Sequence, residues 1–439
     1  MNATDVIRLA VLSPIGALGP AERRRLFDRT TSTDPVTRDR TRAIIDRVRR
    51  HGDDALRALA RELDAVSLAS LEVPRDRWRA ALDRLDPDLQ RALERAALNI
   101  ETAHRAQLPS AVEIETEAGV IVGRRPDPLA RVGVYAPGGR ASYPSSVLMG
   151  AVPARVAGVD EVILCSPPRS NGVPSDVVLA AAELAEVDRV FAVGGAGAVA
   201  AMAHGTASIP RVDRIIGPGN AYVAEAKLQV SDMVAIDSPA GPSELLAIAD
   251  AAANPDRIAR EMLAQAEHDP RACAIAVAIG ESTAARLLVA LENALEGQAR
   301  LLIITQALAS RGAILIAEDV ADAVRFANEY GPEHLLLAID GAEAVLRQIR
   351  NAGTVFVGES SSVTFGDYLT GANHVLPTGG LARSWSGLSV LDFVRWTTWQ
   401  KISREAAARL AGDVGTLADA EGLPAHAAAA RAWRSGGAP

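Results

Sequence analysis

The chain is poor in several things, and each shortage excludes a class. Cysteine occurs twice in 439 residues, as Cys165 and Cys273. Each sits in an apolar run, ILCSP and RACAIAVAI, so both are expected to be buried free thiols in a reducing, cytoplasmic setting. Aromatic residues make up only 4%. No Lys/Arg block is interleaved with them, and the net charge is −8, which argues against nucleic acid as a partner. No run reaches the roughly 18 apolar residues that span a bilayer, so no membrane contact is expected. The opening MNATDVIRLAVLSPIG lacks the basic start and long apolar stretch of a secretory leader.

What is present is small and aliphatic. Hydrophobic residues make up 49%, enough for at least two cores. Ala, Val, Leu and Gly fill most apolar positions, which suits close packing of helices on sheets. Residues 33–105 read as helices, with apolar positions at helical spacing in TRAIIDRVRRHGDDALRALAREL. From about Arg131, strand-like and helix-like runs alternate: RVGVYAP, EVILCSPP, DRVFAVGG and DRIIGPG are separated by helical stretches. A second alternating series starts after SPAGPSE. The fold class expected is therefore α/β, with two Rossmann-like doubly wound units, one inserted in the other. Residues 1–30 read as an N-terminal extension, and 31–134 with 244–388 as the main domain. Residues 135–243 read as an inserted domain, with a Gly-rich turn of the dinucleotide-binding kind. The Ala-rich stretch 389–439 reads as a helical tail with no core of its own.

Four of the seven histidines have a polar companion; His51, His104 and His204 read as ordinary surface or packing residues. Gln265-Ala-Glu-His268 lies late in a helical run, where spacing i, i+3 puts both side chains on one face and can supply two corners of a metal site. Pro332-Glu333-His334 sits at a helix-to-strand turn, and its carboxylate and imidazole suit proton transfer. Gly366-Asp367-Tyr368, followed by Gly371-Ala372-Asn373-His374, reads as a Gly-punctuated ligand loop. Glu421-Gly-Leu-Pro-Ala-His426 interrupts the helical tail. Taken singly, each could be a polar helix end, a charged turn or a connector. Gly195-Ala-Gly197-Ala-Val-Ala200 follows a strand and opens a helix, as a dinucleotide fingerprint does, but no acid closes the following strand. Gly217-Pro-Gly219-Asn220 precedes a helix whose N-terminus could receive a phosphate.

Together, VGVYAPGGRASYPSSVLMGAVPARVAGV, IIGPGNAYVAEAK, AGPSELLAIAD, AQAEHD, EYGPEHL, GDYLTGANHVLPTGG and AEGLPAH resemble the histidinol dehydrogenases, from about residue 30 to about 430. The resemblance implies zinc ligands at Gln265, His268, Asp367 and His426, and a proton-handling pair at Glu333 and His334. It implies substrate contacts at Ser243, His334, His374 and Glu421 beside the metal ligands, and NAD contacts at Tyr135, Gly197 and Asn220. It also implies an intertwined homodimer in which Glu421 and His426 act in the partner's site, and oxidation of L-histidinol to L-histidine with two NAD. Gly197 stands where the family usually has Gln, ESSSVTF lacks the usual aromatic-Ser-Pro, and Lys401 stands where an acid is common. A related dehydrogenase for another amino alcohol or polar diol, a zinc hydrolase and an inactive binding protein are the alternatives the residues leave.

Overall fold

The computed structural model describes residues 8–29, 34–138 and 142–434. The chain divides into two compact units. The larger comprises the described residues up to Ala106 together with Leu129–Phe393, and the smaller comprises Gln107–Pro128 with the chain from Val394 onward.

The larger unit holds two six-stranded sheets. In the first, the spatial order is Glu72–Val73, Arg189–Phe191, Glu161–Cys165, Arg131–Tyr135, Arg214–Ile216, Ala235–Ile236. Only Glu72–Val73 runs antiparallel to its neighbour. The second sheet is wholly parallel, in the order Val11–Pro14, Ala313–Ala317, Cys273–Ile279, Glu244–Ala249, His334–Ala338, Thr354–Val357. In both, the earliest strand of the alternating series lies centrally and the order reverses beside it, the doubly wound arrangement.

The strand sequences explain the layering. Parallel strands covered on both faces need continuous apolar runs. In the second sheet, Leu245, Ala247, Ala249, Ala274, Ala276 and Ala278 fall in one core layer. Leu246, Ile248, Ile275 and Val277 fall in the other. Period-2 alternation thus gives each strand two buried faces, and on Cys273–Ile279 the alanines face the helices Pro255–Ala266 and Glu281–Ala294 while Ile275 and Val277 face the other layer. Enlarging a buried alanine such as Ala276 would force this layer apart, at about 1–3 kcal/mol.

Three expectations change. Residues 1–30 are not a mere extension, because Val11–Pro14 extends the second sheet and Phe27 packs edge-on against Phe326 and Tyr330. The helices Pro35–Leu63, Arg75–Asp83 and Pro87–Arg105 pack on helices of the first sheet's layers, so this part of 31–134 associates mainly with residues 131–236, with Asn99 also bonding the Leu369 carbonyl. The stretch after Ser389 is not all helix: Val394–Ile402 is a strand.

In the smaller unit, Val394–Ile402 pairs antiparallel with Val120–Pro128, which also pairs with Val112–Glu117. The guanidinium of Arg124 lies over the Trp396 ring, 4.3 Å from its centroid. The helices Arg404–Ala420 and Pro424–Arg431 pack on each other.

Candidate active site

Glu333 and His334 open one central strand of the second sheet, and Ser243 and Glu244 open its neighbour, with Leu245 in register with His334. The helix Val320–Tyr330 ends at Gly331 in the left-handed conformation, and Pro332 then starts the turn that delivers the pair. Glu333 and His334 are both buried. One carboxylate oxygen of Glu333, Oε2, accepts from Ser243 Oγ and from the Glu244 amide, each at 2.7 Å. His334 Nδ1 lies 2.9 Å from the Glu244 carbonyl oxygen. Its Nε2 is buried without a hydrogen-bond partner, 3.6 Å from Asp367 Oδ1.

These contacts shift both groups. Burial pushes the Glu333 carboxyl up to about 7, against the pull of His334 and Ser243. Burial also works to lower His334, but the Glu333 and Asp367 carboxylates outweigh it and raise the imidazole to about 9. The two side chains, 3.5 Å apart between Nδ1 and Oε2, behave as a coupled pair.

Asp367 was expected in a loop; it lies instead on the short helix Val363–Tyr368. A side chain at Gly366 would put its Cβ 2.5 Å from the Phe356 ring, so glycine lets this helix sit directly on Phe356. The Phe356 ring in turn flanks His334, with centroids 6.0 Å apart. Glu261 accepts from the amide of Val363 at 3.2 Å, anchoring the start of the same helix. His374 Nδ1 meets the Asp367 carbonyl at 2.8 Å, and burial keeps that imidazole below its ordinary value. Burial would raise Asp367, but His334, His374 and His268 outweigh it and hold the carboxyl below the usual carboxylate range.

Gln265 ends near the close of the helix Pro255–Ala266 and is buried, with its amide Nε2 unpartnered. His268 falls beyond the helix end and is exposed, so the expected shared helical face is replaced by a turn. No group of three His, Cys, Asp or Glu side chains capable of holding a metal occurs among the described residues. The buried, orphaned amide of Gln265 would suit a ligand role, since flipping it would offer an oxygen in place of Nε2.

Tyr135, Gly197 and Asn220 line one cavity of about 1510 Å³ together with Ser243 and His268. The first sheet contributes the carboxyl ends of its strands, where dinucleotides bind in such folds. The second sheet contributes the opposite, amino ends. The Tyr135 hydroxyl accepts from the Gly195 amide at 3.1 Å. Asn220 caps the helix Ala221–Val230, its side-chain oxygen accepting from Tyr222 and Val223 at 3.0 and 3.2 Å. At Gly197 an added Cβ would lie 3.2 Å from Leu59 and 3.4 Å from Leu56. Beneath the Gly217 turn, Lys227 donates to the Gly217 carbonyl at 3.0 Å, and Asp237 accepts the Gly217 amide at 2.8 Å. Lys227 and Asp237 also form a buried ion pair.

A family model described as histidinol dehydrogenase matches residues 27–434. The chain belongs to the histidinol dehydrogenase family.

Its relatives include a histidinol dehydrogenase of Methanosarcina mazei, 43% identical over 97% of this chain and 98% of the relative. One of Natronomonas pharaonis is 48% identical over 95% and 98%. The crystal structure of histidinol dehydrogenase from Elizabethkingia anophelis superposes with a TM-score of 0.92 at 34% identity, covering 97% of this chain and 98% of that one. The α/β architecture is thus that of the histidinol dehydrogenases, and the chain is an oxidoreductase. No described helix is long and apolar enough to cross a membrane.

Within the larger unit, the expected site residues Ser243, Glu333, His334, Asp367 and His374 come together through the contacts above. Glu421 and His426 belong to the smaller unit: Glu421 caps the helix Arg404–Ala420, His426 lies on the helix Pro424–Arg431, and both are exposed. His104 is buried, and its Nδ1 accepts the Val390 amide at 3.2 Å, a packing role as expected. Sequence reasoning missed Arg29, Glu244, Glu261 and the Lys227–Asp237 pair. Only Glu244 carried a signal, as an acid opening the wholly apolar strand LLAIA. The others become visible only through the residues they meet.

Proposed function

We propose that the chain is a zinc-dependent, NAD-linked L-histidinol dehydrogenase that carries out the four-electron oxidation to L-histidine through L-histidinal. The carrying observation is the His334 imidazole, held at Nδ1 by the Glu244 carbonyl and left with an unpartnered, buried Nε2. A backbone carbonyl can only accept, so neutral His334 carries its proton on Nδ1 and presents its lone pair on Nε2. That nitrogen takes the hydroxyl proton in each oxidation. Glu333 has Oε2 occupied by Ser243 and Glu244, so Oε1 is the atom that draws a proton from the water adding to the aldehyde. Ser243 and His374 line the substrate position, and Glu421 supplies a negative charge for a cationic amino alcohol.

Gln265, His268, Asp367 and His426 would hold zinc, and Tyr135, Gly197 and Asn220 would border NAD. When bound, zinc would orient and polarise the alcohol, and NAD would accept hydride, one equivalent in each half of the reaction. Glu421 and His426 would act in the partner's site, in a cytoplasmic homodimer. Ile402, Val414, Leu417, Leu423 and Trp433 in the smaller unit are exposed apolar side chains that such a partner could cover.

The deciding measurement is NADH formed per histidinol consumed, with metal content determined on the same sample. Two NADH per substrate with one zinc per chain is expected. Absence of NADH from histidinol with zinc and NAD supplied would overturn the reading.

A further inference from the structure

Glu244 touches both members of the proton-transfer pair, yet only through its main chain. Its amide donates to Glu333 Oε2 at 2.7 Å, and its carbonyl receives His334 Nδ1 at 2.9 Å. Any rotation of this one peptide segment therefore moves both side chains at once. The Glu244 side chain is engaged separately. Its Oε1 accepts the Gly379 amide at 2.8 Å, and its Oε2 pairs with Arg29.

Arg29 makes a second contact that completes the arrangement. Its other terminal nitrogen donates to the Tyr330 carbonyl, and its guanidinium lies over the Tyr330 ring, 3.4 Å from the centroid. Tyr330 is the last residue of the helix before the Gly331-Pro332 turn that delivers Glu333 and His334. One planar guanidinium thus bridges the entries to both central strands: the Glu244 carboxylate on one side and the Tyr330 carbonyl on the other. The Arg29 and Glu244 side chains are only 3% and 2% exposed. Burying two charges is a poor route to stability, because desolvation offsets most of their attraction. A guanidinium fork is, however, a rigid spacer with fixed directions, which a lysine cannot copy. The chemistry of the pair depends on distances held to a fraction of an ångström.

We propose that Arg29 and Glu244 are positioning residues for the oxidation, setting the spacing of the two strand entries so that Glu333 and His334 are held in working geometry. This rests on the reading of Glu333 and His334 as the proton-transfer pair. It gives the segment just before the main helical region a role in turnover, although no atom of Arg29 reaches the reacting groups.

The test uses the full-length, zinc-loaded enzyme with four single variants, Glu244→Gln, Arg29→Lys, His334→Asn and Glu333→Gln, and the double variant of the first two. Steady-state kcat and KM for histidinol are measured with zinc content and folded fraction. Glu244→Gln and Arg29→Lys should each lower kcat about 10- to 100-fold while KM stays within about threefold. The double variant should be no worse than the poorer single, since the two act as one unit. Arg29→Lys keeps the charge and guards against simple misfolding. If His334→Asn and Glu333→Gln retain turnover, the reading of the pair fails. If those two abolish turnover while Glu244→Gln and Arg29→Lys stay within about twofold of the parent, the positioning role is overturned. Losses fully accounted for by a lower folded fraction overturn it as well.

Discussion

The Nδ1 atom of His334 and the main-chain carbonyl of Glu244 lie 2.9 Å apart, across the boundary between two adjacent parallel strands. This contact selects one tautomer and leaves the other ring nitrogen buried without a hydrogen-bond partner, 3.6 Å from Asp367 Oδ1. Replacing His334 with Asn removes the basic nitrogen. Such a variant should retain its zinc and lose about 10²- to 10⁴-fold in kcat for histidinol. Steady-state NADH formation, with metal analysis of the same sample, checks this. A parent-like rate would remove His334 from proton transfer.

Glu333 is assigned to the water step, so Glu333→Gln should separate the two halves of the reaction. The first hydride transfer should persist and the second should stall. A single-turnover experiment should then show close to one NADH per site, with an aldehyde that carbonyl reagents trap. Two rapid NADH equivalents from the variant would contradict the assignment.

The pH dependence has a definite sign. Burial places Glu333 near 7, and the surrounding carboxylates place His334 near 9, so the pair sheds protons only as pH rises. Both must be deprotonated to act as bases, so kcat/KM should climb through this range toward alkaline pH. In single turnovers of Glu333→Gln, the first hydride transfer should follow the His334 ionisation alone. Stability should move the opposite way. Each folded-state pKa lies above the ordinary value, 4.5 for the carboxyl and 6.5 for the imidazole. The native state therefore holds these protons more tightly than the unfolded chain. That stabilisation is complete below the ordinary values and is lost as pH rises through the folded ones. Denaturant midpoints that rise from pH 6 to pH 9 in the parent, but not in a Glu333→Gln variant, would contradict this.

The Lys227–Asp237 pair grips Gly217 by both its amide and its carbonyl, beneath the turn that carries Asn220. Lys227→Met would strand a buried carboxylate and should cost about 3–5 kcal/mol. The turn should also loosen, raising KM for NAD more than KM for histidinol. Urea unfolding and paired KM measurements test both parts. An unchanged KM ratio would confine the pair to stability.

An added Cβ at Gly197 would lie tight against the Leu59 side chain, at 3.2 Å, and 3.4 Å from Leu56. A larger side chain there needs Leu59, on the helix Pro35–Leu63, to give way. Gly197→Gln should therefore destabilise by about 1–3 kcal/mol and weaken NAD binding. Adding Leu59→Ala should restore part of both. A Gln variant that bound NAD more tightly without that second change would show that the slot is wider than its walls imply.

Much of the fold was legible locally. Strand and helix alternation, the helix-to-strand turn at Pro332 and the break at Gly422-Pro424 each follow from residues a few positions apart, because periodicity and turn chemistry act over short range. The same locality explains what was missed. GDYLTGANH reads as a loop, but its first residues fall in the helix Val363–Tyr368, where Glu261 anchors the start and Phe356 supports Gly366. VRWTTWQKI becomes a strand by pairing with Val120–Pro128, a partner remote in the chain. Sequence by itself determined the candidate pair Glu333–His334, the apolar strands and the turn that precedes the pair. Only the tertiary structure decided that Arg29 meets Glu244, that residues 35–105 cover the first sheet, and which nitrogen of His334 is left free. These depend on which groups become neighbours in a low-dielectric interior, and that follows from long-range packing rather than from local pattern.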